Sequence, residues 1–292
     1  MSLGVDPGAV LDLSLSLNPC SSLAASRAAR HLDALRRYPD EALATGALAE
    51  ALGVDATRVL LTNGGAEGIA LVAAEAVEGW VEGPEFSLYA RHLRLRRGAG
   101  RWRSNPNNPT GWLAGADSSA AVWDEAFWPL ATGTWSRGDA ERGSLVVGSL
   151  TKLFACPGLR MGYVLGPDPE SVERLRRRRP AWSVGGLACA VLPELIAGAD
   201  LPGWASETAA LRLELVGLLR HAGLDPLSAY APWVLVPGAG ELREQLARRG
   251  VLVRDCASFG LVDTVRIAVP SASGMERLAA ALASGPWARG RS

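Results

Sequence analysis

The chain has almost no lysine. Among its 30 Lys and Arg residues, Lys152 is the single lysine and the rest are arginine. Arginine serves wherever a cation is solvated or paired, but a guanidinium does not give up its proton. Lys152 alone can therefore offer a neutral side-chain amine, the nucleophile that forms a Schiff base with a carbonyl. A surface remnant is the alternative reading, and the neighbours decide between the two. Cysteine is equally sparse: Cys20, Cys156, Cys189 and Cys256 form no CxxC pair and have no histidine at ligand spacing. Neither a disulfide framework nor a metal site is indicated. Net charge is also missing, because 30 acidic residues balance the 30 basic ones, which gives no support to a nucleic-acid or anionic-membrane partner. No apolar stretch runs the length of a bilayer before Pro, Glu, Asp or Arg interrupts it, and the amino terminus lacks the charged start and apolar core of a signal peptide. A cytoplasmic protein is expected. The basic run at 174–179, broken only by Leu175, follows Glu170 and Glu173 and stops at Pro180, the pattern of a solvated helix end.

What the chain does have is apolar residues, 48% of its 292 positions, enough for one large domain or two of unequal size. Short apolar runs at 58–62, 121–124, 145–149 and 161–165 alternate with longer helical patterns, one opening near Ala66. That alternation predicts an α/β sheet covered on both faces. After Pro167 the pattern changes to helices at 169–179 and about 203–222, followed by strands at 232–236, 251–254 and 264–269, the makings of a smaller α+β lobe. The expected division is a large domain over 27–200 and a small one formed by 1–26 and 201–292.

Three segments place glycine or polar residues just past a strand, where open α/β sheets bind ligands. In LTNGGAEGI at 61–69 the glycines allow a tight turn, and the helix that follows aims unpaired N–H groups outward, an arrangement suited to phosphate. SNPNNPTG at 104–111 is by itself an ordinary Asx-turn loop. SLTKLFACPGLRMG at 149–162 carries the lone lysine, two hydroxyls and Arg160.

Taken in order with DEAF at 124–127, these segments resemble the pyridoxal-phosphate enzymes of aminotransferase class I/II, fold type I, from about Leu11 to Leu282. The resemblance implies a mostly parallel central sheet covered by helices, a smaller α+β C-terminal domain, pyridoxal 5'-phosphate as cofactor and a homodimer. It implies that Lys152 binds the cofactor aldehyde covalently, that Asp124 pairs with the pyridine nitrogen, that Asn108 bonds the ring hydroxyl oxygen and that Phe86, in GPEFSLY, stacks on the ring. Phosphate falls to Gly65, Ala66, Ser149, Thr151 and Arg160, with Tyr38 of the YPD segment reaching the neighbouring subunit's phosphate.

Within the family, the lysine segment with AWSV at 181–184, and VLVRDCASFGL at 251–261 with VRIAV at 265–269, look most like threonine-phosphate decarboxylases of cobalamin biosynthesis, then histidinol-phosphate aminotransferases. Phe127, where transaminases of the group carry tyrosine, fits the first. In either branch Arg266 is expected to bind the substrate carboxylate, Arg254 a substrate phosphate, and Asn18 to face the substrate. The substrate is then a small amino acid that carries a phosphate or lacks one. Departures fall on the substrate side: the HisGlyGly motif is absent, Gly185 replaces Asn, Pro-Trp at 232–233 replaces an Asn-Phe-like pair, and Pro270 follows RIAV. These departures, with the shortness of the chain, leave a non-catalytic relative as a third reading. Only 15 residues lie between Tyr89 and Asn105 and 12 between Gly111 and Asp124. Too few for a crossover unit, they predict a tight turn at 94–103 and a thinned outer layer.

Overall fold

The computed structural model describes residues 7–21 and 24–283. Its strands in chain order are β1 (Leu11–Asp12), β2 (Val59–Asn63), β3 (Glu78–Val81), β4 (Arg94–Leu95), β5 (Arg101–Ser104), β6 (Val122–Asp124), β7 (Leu145–Gly148) and β8 (Met161–Leu165), followed by β9 (Leu227–Ser228), β10 (Trp233–Pro237), β11 (Val251–Leu252), β12 (Arg254–Asp255) and β13 (Thr264–Ala268). Seven of them form one sheet in the order β2-β8-β7-β6-β5-β3-β4. All pairs from β7 outward to β4 are parallel, whereas β8 runs antiparallel to both β2 and β7. The inner strands are apolar along their length because helices cover both faces: every residue of β6 and β8 is buried.

This topology gathers the three ligand-bearing segments at one edge. Strands β2, β5, β6 and β7 all end there. The antiparallel β8 begins there, since Asn63 pairs with Met161, Ser104 with Asp124 and Asp124 with Val147. Residues 64–66, 105–111, 124–126, 149–152 and 160, up to about 100 positions apart in sequence, thus share one rim.

Two apolar clusters flank the sheet. One joins Leu48, Leu61, Trp123, Val146, Leu150 and Tyr163 to the helix Gly186–Ala197; the other joins Leu60, Val72, Tyr89, Trp102, Val164 and Leu175. Each fully buried aliphatic side chain contributes roughly 1.5–3 kcal/mol of burial free energy, before the entropy of ordering it is set against that. A third cluster packs Leu215, Leu219, Val234, Ile267 and Leu278 between a four-stranded sheet, β12-β13-β10-β9, and the helices Leu201–His221 and Ala272–Ala283. The helix Leu201–His221 belongs to two clusters: its first residue packs in the first and its later turns in the third.

Two expectations from local pattern need amendment. The apolar run at 251–254 is two strands in two sheets, because β11 pairs with β1 while β12 pairs with β13. The turn at 96–100 joins two strands that both run parallel to β3, on its opposite sides. Five residues suffice because β4 pairs with the first half of β3 and β5 with the second. No helix occurs between residue 93 and Phe127, so the helical layer is thin there, as the short spacings indicated. No single helix among the described residues is long and apolar enough to cross a membrane. The consecutive helices Gly186–Ala197 and Leu201–His221 reach that length only together, bent by 85°.

Candidate active site

One cavity opens at the shared rim. It is lined by Gly65 and Ala66 from the helix Gly64–Ala76, by Phe86, Ser104, Asn108, Asp124 and Phe127, by Ser149, Thr151, Lys152 and Arg160, and by Arg254 and Arg266 from the second sheet. Of the residues singled out from the sequence, only Tyr38 and Asn18 are missing from the lining.

Asp124 ends β6 with its carboxylate in the cavity and only 8% exposed. The Tyr89 hydroxyl donates to Oδ2 at 2.8 Å and the Ala126 amide to Oδ1 at 3.0 Å. Burial raises the carboxyl pKa; the Ala126 and Tyr89 bonds and Lys152 pull it the other way. The next carboxylate, Glu125, turns away from the cavity and accepts the Arg137 amide. Only Asp124 therefore faces a ligand. The pKa of Lys152 is lowered, chiefly by burial and then by the charges of Arg266 and Arg160. Its amine is more readily neutral than an ordinary lysine's, as a carbonyl-binding nucleophile requires.

Opposite this pair the helix Gly64–Ala76 begins, and its first-turn amides have no carbonyl partner within the helix. Gly64 has φ +76° and lies under the Arg160 guanidinium, so that a Cβ there would sit 2.5 Å from Nη2. A Cβ on Gly162 would strike the backbone of Gly64 and Gly65. Both glycines bring Arg160, at the start of β8, against the helix start, making a corner of cation, amides and the Ser149 side chain that fits a phosphate group. Thr151 also lines the corner, but its hydroxyl exchanges hydrogen bonds with the Met161 backbone, at 3.1 and 3.2 Å, and holds the lysine segment against β8.

On the far side Arg266, 7% exposed, lies over Trp233 at 4.8 Å and Phe259 at 5.8 Å. Its Nη1 donates to Asn108 Oδ1 at 2.6 Å, and its buried Nε has no partner among the described residues. Burial pushes its pKa down to about 10, still charged at neutral pH. A buried guanidinium with an open donor is an anion site. Arg254 is exposed at the cavity mouth, where Nη2 donates to Ser258 Oγ at 3.3 Å.

Asn18 requires correction. Its Nδ2 donates to the Leu153 carbonyl and its Oδ1 accepts the Cys20 amide, both at 2.9 Å, so it braces the lysine segment from behind. Ser14 and Leu15 from the same stretch line the cavity in its place. Tyr38 is 78% exposed and stacks on Trp182 at 4.5 Å, outside the cavity of its own chain. Tyr89 and Ser104 went unnoticed in the sequence. The one available signal for Tyr89 was an aromatic three residues after Phe86, which reads equally well as core.

The donor set suits a flat, phosphorylated ring. The same cavity is lined by a carboxylate, a phosphate corner, the Phe86 ring and the lysine. The model of the aminotransferase class I and II family matches residues 102–282. The chain is 30% identical to the threonine-phosphate decarboxylase of Salmonella typhimurium, covering 96% of this chain and 92% of that protein. It is 28% identical to the histidinol-phosphate aminotransferase of Methanothermobacter thermautotrophicus, over 91% and 86%. The fold matches that of histidinol-phosphate aminotransferase from Sinorhizobium meliloti in complex with pyridoxal-5'-phosphate, with a TM-score of 0.80, 18% identity, and coverage of 93% of this chain and 89% of that one. The chain belongs to the aminotransferase class I and II family, with the fold of type I pyridoxal-phosphate enzymes. It is an enzyme, and its cofactor is pyridoxal phosphate. The alignment with the decarboxylase runs over 337 positions against 292 residues here, so the relative carries segments that this chain lacks.

Proposed function

We propose that the enzyme acts on a small amino acid bearing a second anionic group, and that it is a decarboxylase of the threonine-phosphate type. The observation that carries this reading is the charge of the cavity: Lys152, Arg160, Arg254 and Arg266 face a single carboxylate, Asp124. Arg160 and the helix start take the cofactor phosphate, with Gly65, Ala66 and Ser149. Asn108 keeps its amide donor for the ring hydroxyl oxygen, since its Oδ1 already holds Arg266. Phe86 lies against the ring, and Asp124 holds a proton on the pyridine nitrogen. When bound, the protonated ring draws electrons from the bonds at the amino-acid α-carbon, which serves loss of CO2 and loss of a proton alike. Lys152 holds the cofactor aldehyde and is the amine positioned to give a proton to the α-carbon or take one from it. Arg266 binds the substrate carboxylate, and Arg254 remains for the second anion. Phe127 supports the decarboxylase reading, since it stands where transaminases of the group carry a tyrosine whose hydroxyl bonds the ring oxygen. Transamination of the histidinol-phosphate type is the second reading, supported by the 28% identical relative.

Incubation with O-phosphothreonine, and separately with an amino acid plus 2-oxoglutarate, separates the two: CO2 and an amine in the first case, glutamate in the second. Arg254→Ala is expected to remove a preference for phosphorylated over plain substrates, and Arg266→Ala to impair both alike. Each loss in kcat/KM is about ten- to a hundredfold, the worth of a charge-assisted pair. Equal handling of threonine and its phosphate ester by the wild-type enzyme would remove the phosphate role of Arg254.

A cytoplasmic homodimer is part of the proposal, as is the division into a large domain over 27–200 and a small one over 1–26 with 201–292, of which 1–6, 22–23 and 284–292 lie outside the described residues. Leu32, Leu35, Tyr38, Leu43 and Trp182 are all exposed apolar residues, a surface that supports packing against a second copy with Tyr38 serving the partner's phosphate corner. Sedimentation is expected to show a dimer, and Tyr38→Ala to weaken cofactor retention; a stable, active monomer contradicts both.

A further inference from the structure

Glu85 is a buried carboxyl with no part in the chemistry above. It is 8% exposed and precedes Phe86, on the segment between β3 and the helix Leu88–His92. Its oxygens accept the Ser104 amide at 3.1 and 3.2 Å, the Ser104 hydroxyl, and the Phe86 amide at 3.3 Å. Ser104 Oγ in turn accepts the Asn108 amide at 2.7 Å, and Asn108 Oδ1 accepts Arg266 Nη1 at 2.6 Å. A path thus runs from Glu85 through Ser104 to the Asn108 backbone, and from the Asn108 side chain to the buried guanidinium on the other sheet.

Every group around the carboxyl is a donor, which matches a carboxylate, an acceptor with no proton of its own. A protonated Glu85 would have to donate, and the acceptor at hand is Ser104 Oγ, which already takes the Asn108 backbone amide and has one lone pair left, so the Ser104 hydroxyl must turn its own proton away from Glu85. Protonation therefore reverses the Glu85–Ser104 side-chain bond and removes its charge-assisted character, loosening the path at Ser104. The titratable and charged groups facing Glu85 are Tyr89 on its own side and Arg103 on β5. Asp124 stands behind Tyr89, and the loop 105–111 has no ionisable residue. No cation lies within ion-pair distance of it among the described residues. Burial accordingly raises the carboxyl to about 7, against the pull of the Ser104 bonds.

We propose that ionised Glu85 is a positioning residue for carboxylate binding: through Ser104 it sets Asn108, and Asn108 aims Arg266 at the substrate. This rests on the reading of Arg266 as the carboxylate-binding group. As pH falls through the neutral range the path loosens at Ser104, and carboxylate binding weakens while the cofactor stays in place.

The test uses the holoenzyme, with L-threonine as probe and its dissociation constant read from the change in cofactor absorbance between pH 5.5 and 8.5, values set here as roughly one and a half units either side of neutrality. In the wild type the constant is expected to rise several-fold toward low pH. In Glu85→Gln, which has no charge to lose, it is expected to be high throughout and to keep only the pH dependence that the L-threonine ammonium group itself imposes, the several-fold excess in the wild type being the signature of Glu85. Thermal unfolding gives a second readout. A carboxyl whose pKa is raised by folding has its stabilising contribution intact below about 4.5 and loses it as pH rises through about 7. Glu85→Gln is therefore expected to gain in melting temperature relative to wild type as pH increases. If that gain appears but L-threonine binding keeps its wild-type pH dependence, the positioning role is overturned. If the gain is absent, so is the titration. Arg266→Ala separates the two levels of argument: if it leaves L-threonine binding unchanged, the reading of Arg266 has failed, whereas loss in Arg266→Ala with none in Glu85→Gln sinks the Glu85 proposal alone.

Discussion

Lys152→Ala is expected to lower turnover by at least about a thousandfold, the scale of losing a nucleophile and its proton-transfer role together. Arg at this position is expected to do no better, because the guanidinium keeps its charge and cannot bind a carbonyl. The loss is chemical rather than structural. The side chain is partly buried at the rim, while the segment is held by Asn18 to Leu153 and by Thr151 to Met161. Its melting temperature without cofactor is expected to match that of the wild-type apoprotein; a variant that unfolds, or one that keeps more than a few per cent of activity, contradicts this assignment.

Asp124→Asn is expected to cost about 10²–10³ in kcat, the scale of removing one preorganised electrostatic contact from a water-excluded site. An amide of the same shape keeps Oδ1 for the Ala126 amide and turns its NH2 to donate to the Tyr89 oxygen, reversing one bond, so the fold tolerates it. What it lacks is the charge proposed to keep the ring nitrogen protonated. A kcat within about threefold of wild type would mean that the carboxylate does not act on the ring.

The cofactor side of the cavity was far more legible in the sequence than the substrate side, and the reason is physical. Gly64, Gly65, Ser149, Lys152 and Arg160 sit in short segments whose chemistry is local: a turn that needs glycine, a helix start with open amides, one amine in a chain of guanidiniums. Strand β8 was readable at its observed bounds because all five residues are apolar and buried. The groups that brace both sides depend on distant pairings. Nothing near Asn18 in sequence indicates that Leu153, 135 positions away, takes its amide. Tyr89 reaches Asp124 across 35 positions. Glu85 meets Ser104 only because β3 and β5 are neighbours in the sheet. The split of 251–254 into β11 and β12 has the same origin, since β1 claims one half and β13 the other.

The reactions proposed above all require Lys152 to hold pyridoxal phosphate in this cavity. Borohydride reduction of the purified protein, followed by tryptic mapping, tests it most directly, since the chain has one lysine and the attachment site is unambiguous. The expected result is a yellow protein whose visible absorbance is lost on reduction and whose single labelled residue is Lys152. A protein that stays colourless with added pyridoxal phosphate, or one that carries the label at its amino terminus rather than at Lys152, would contradict it.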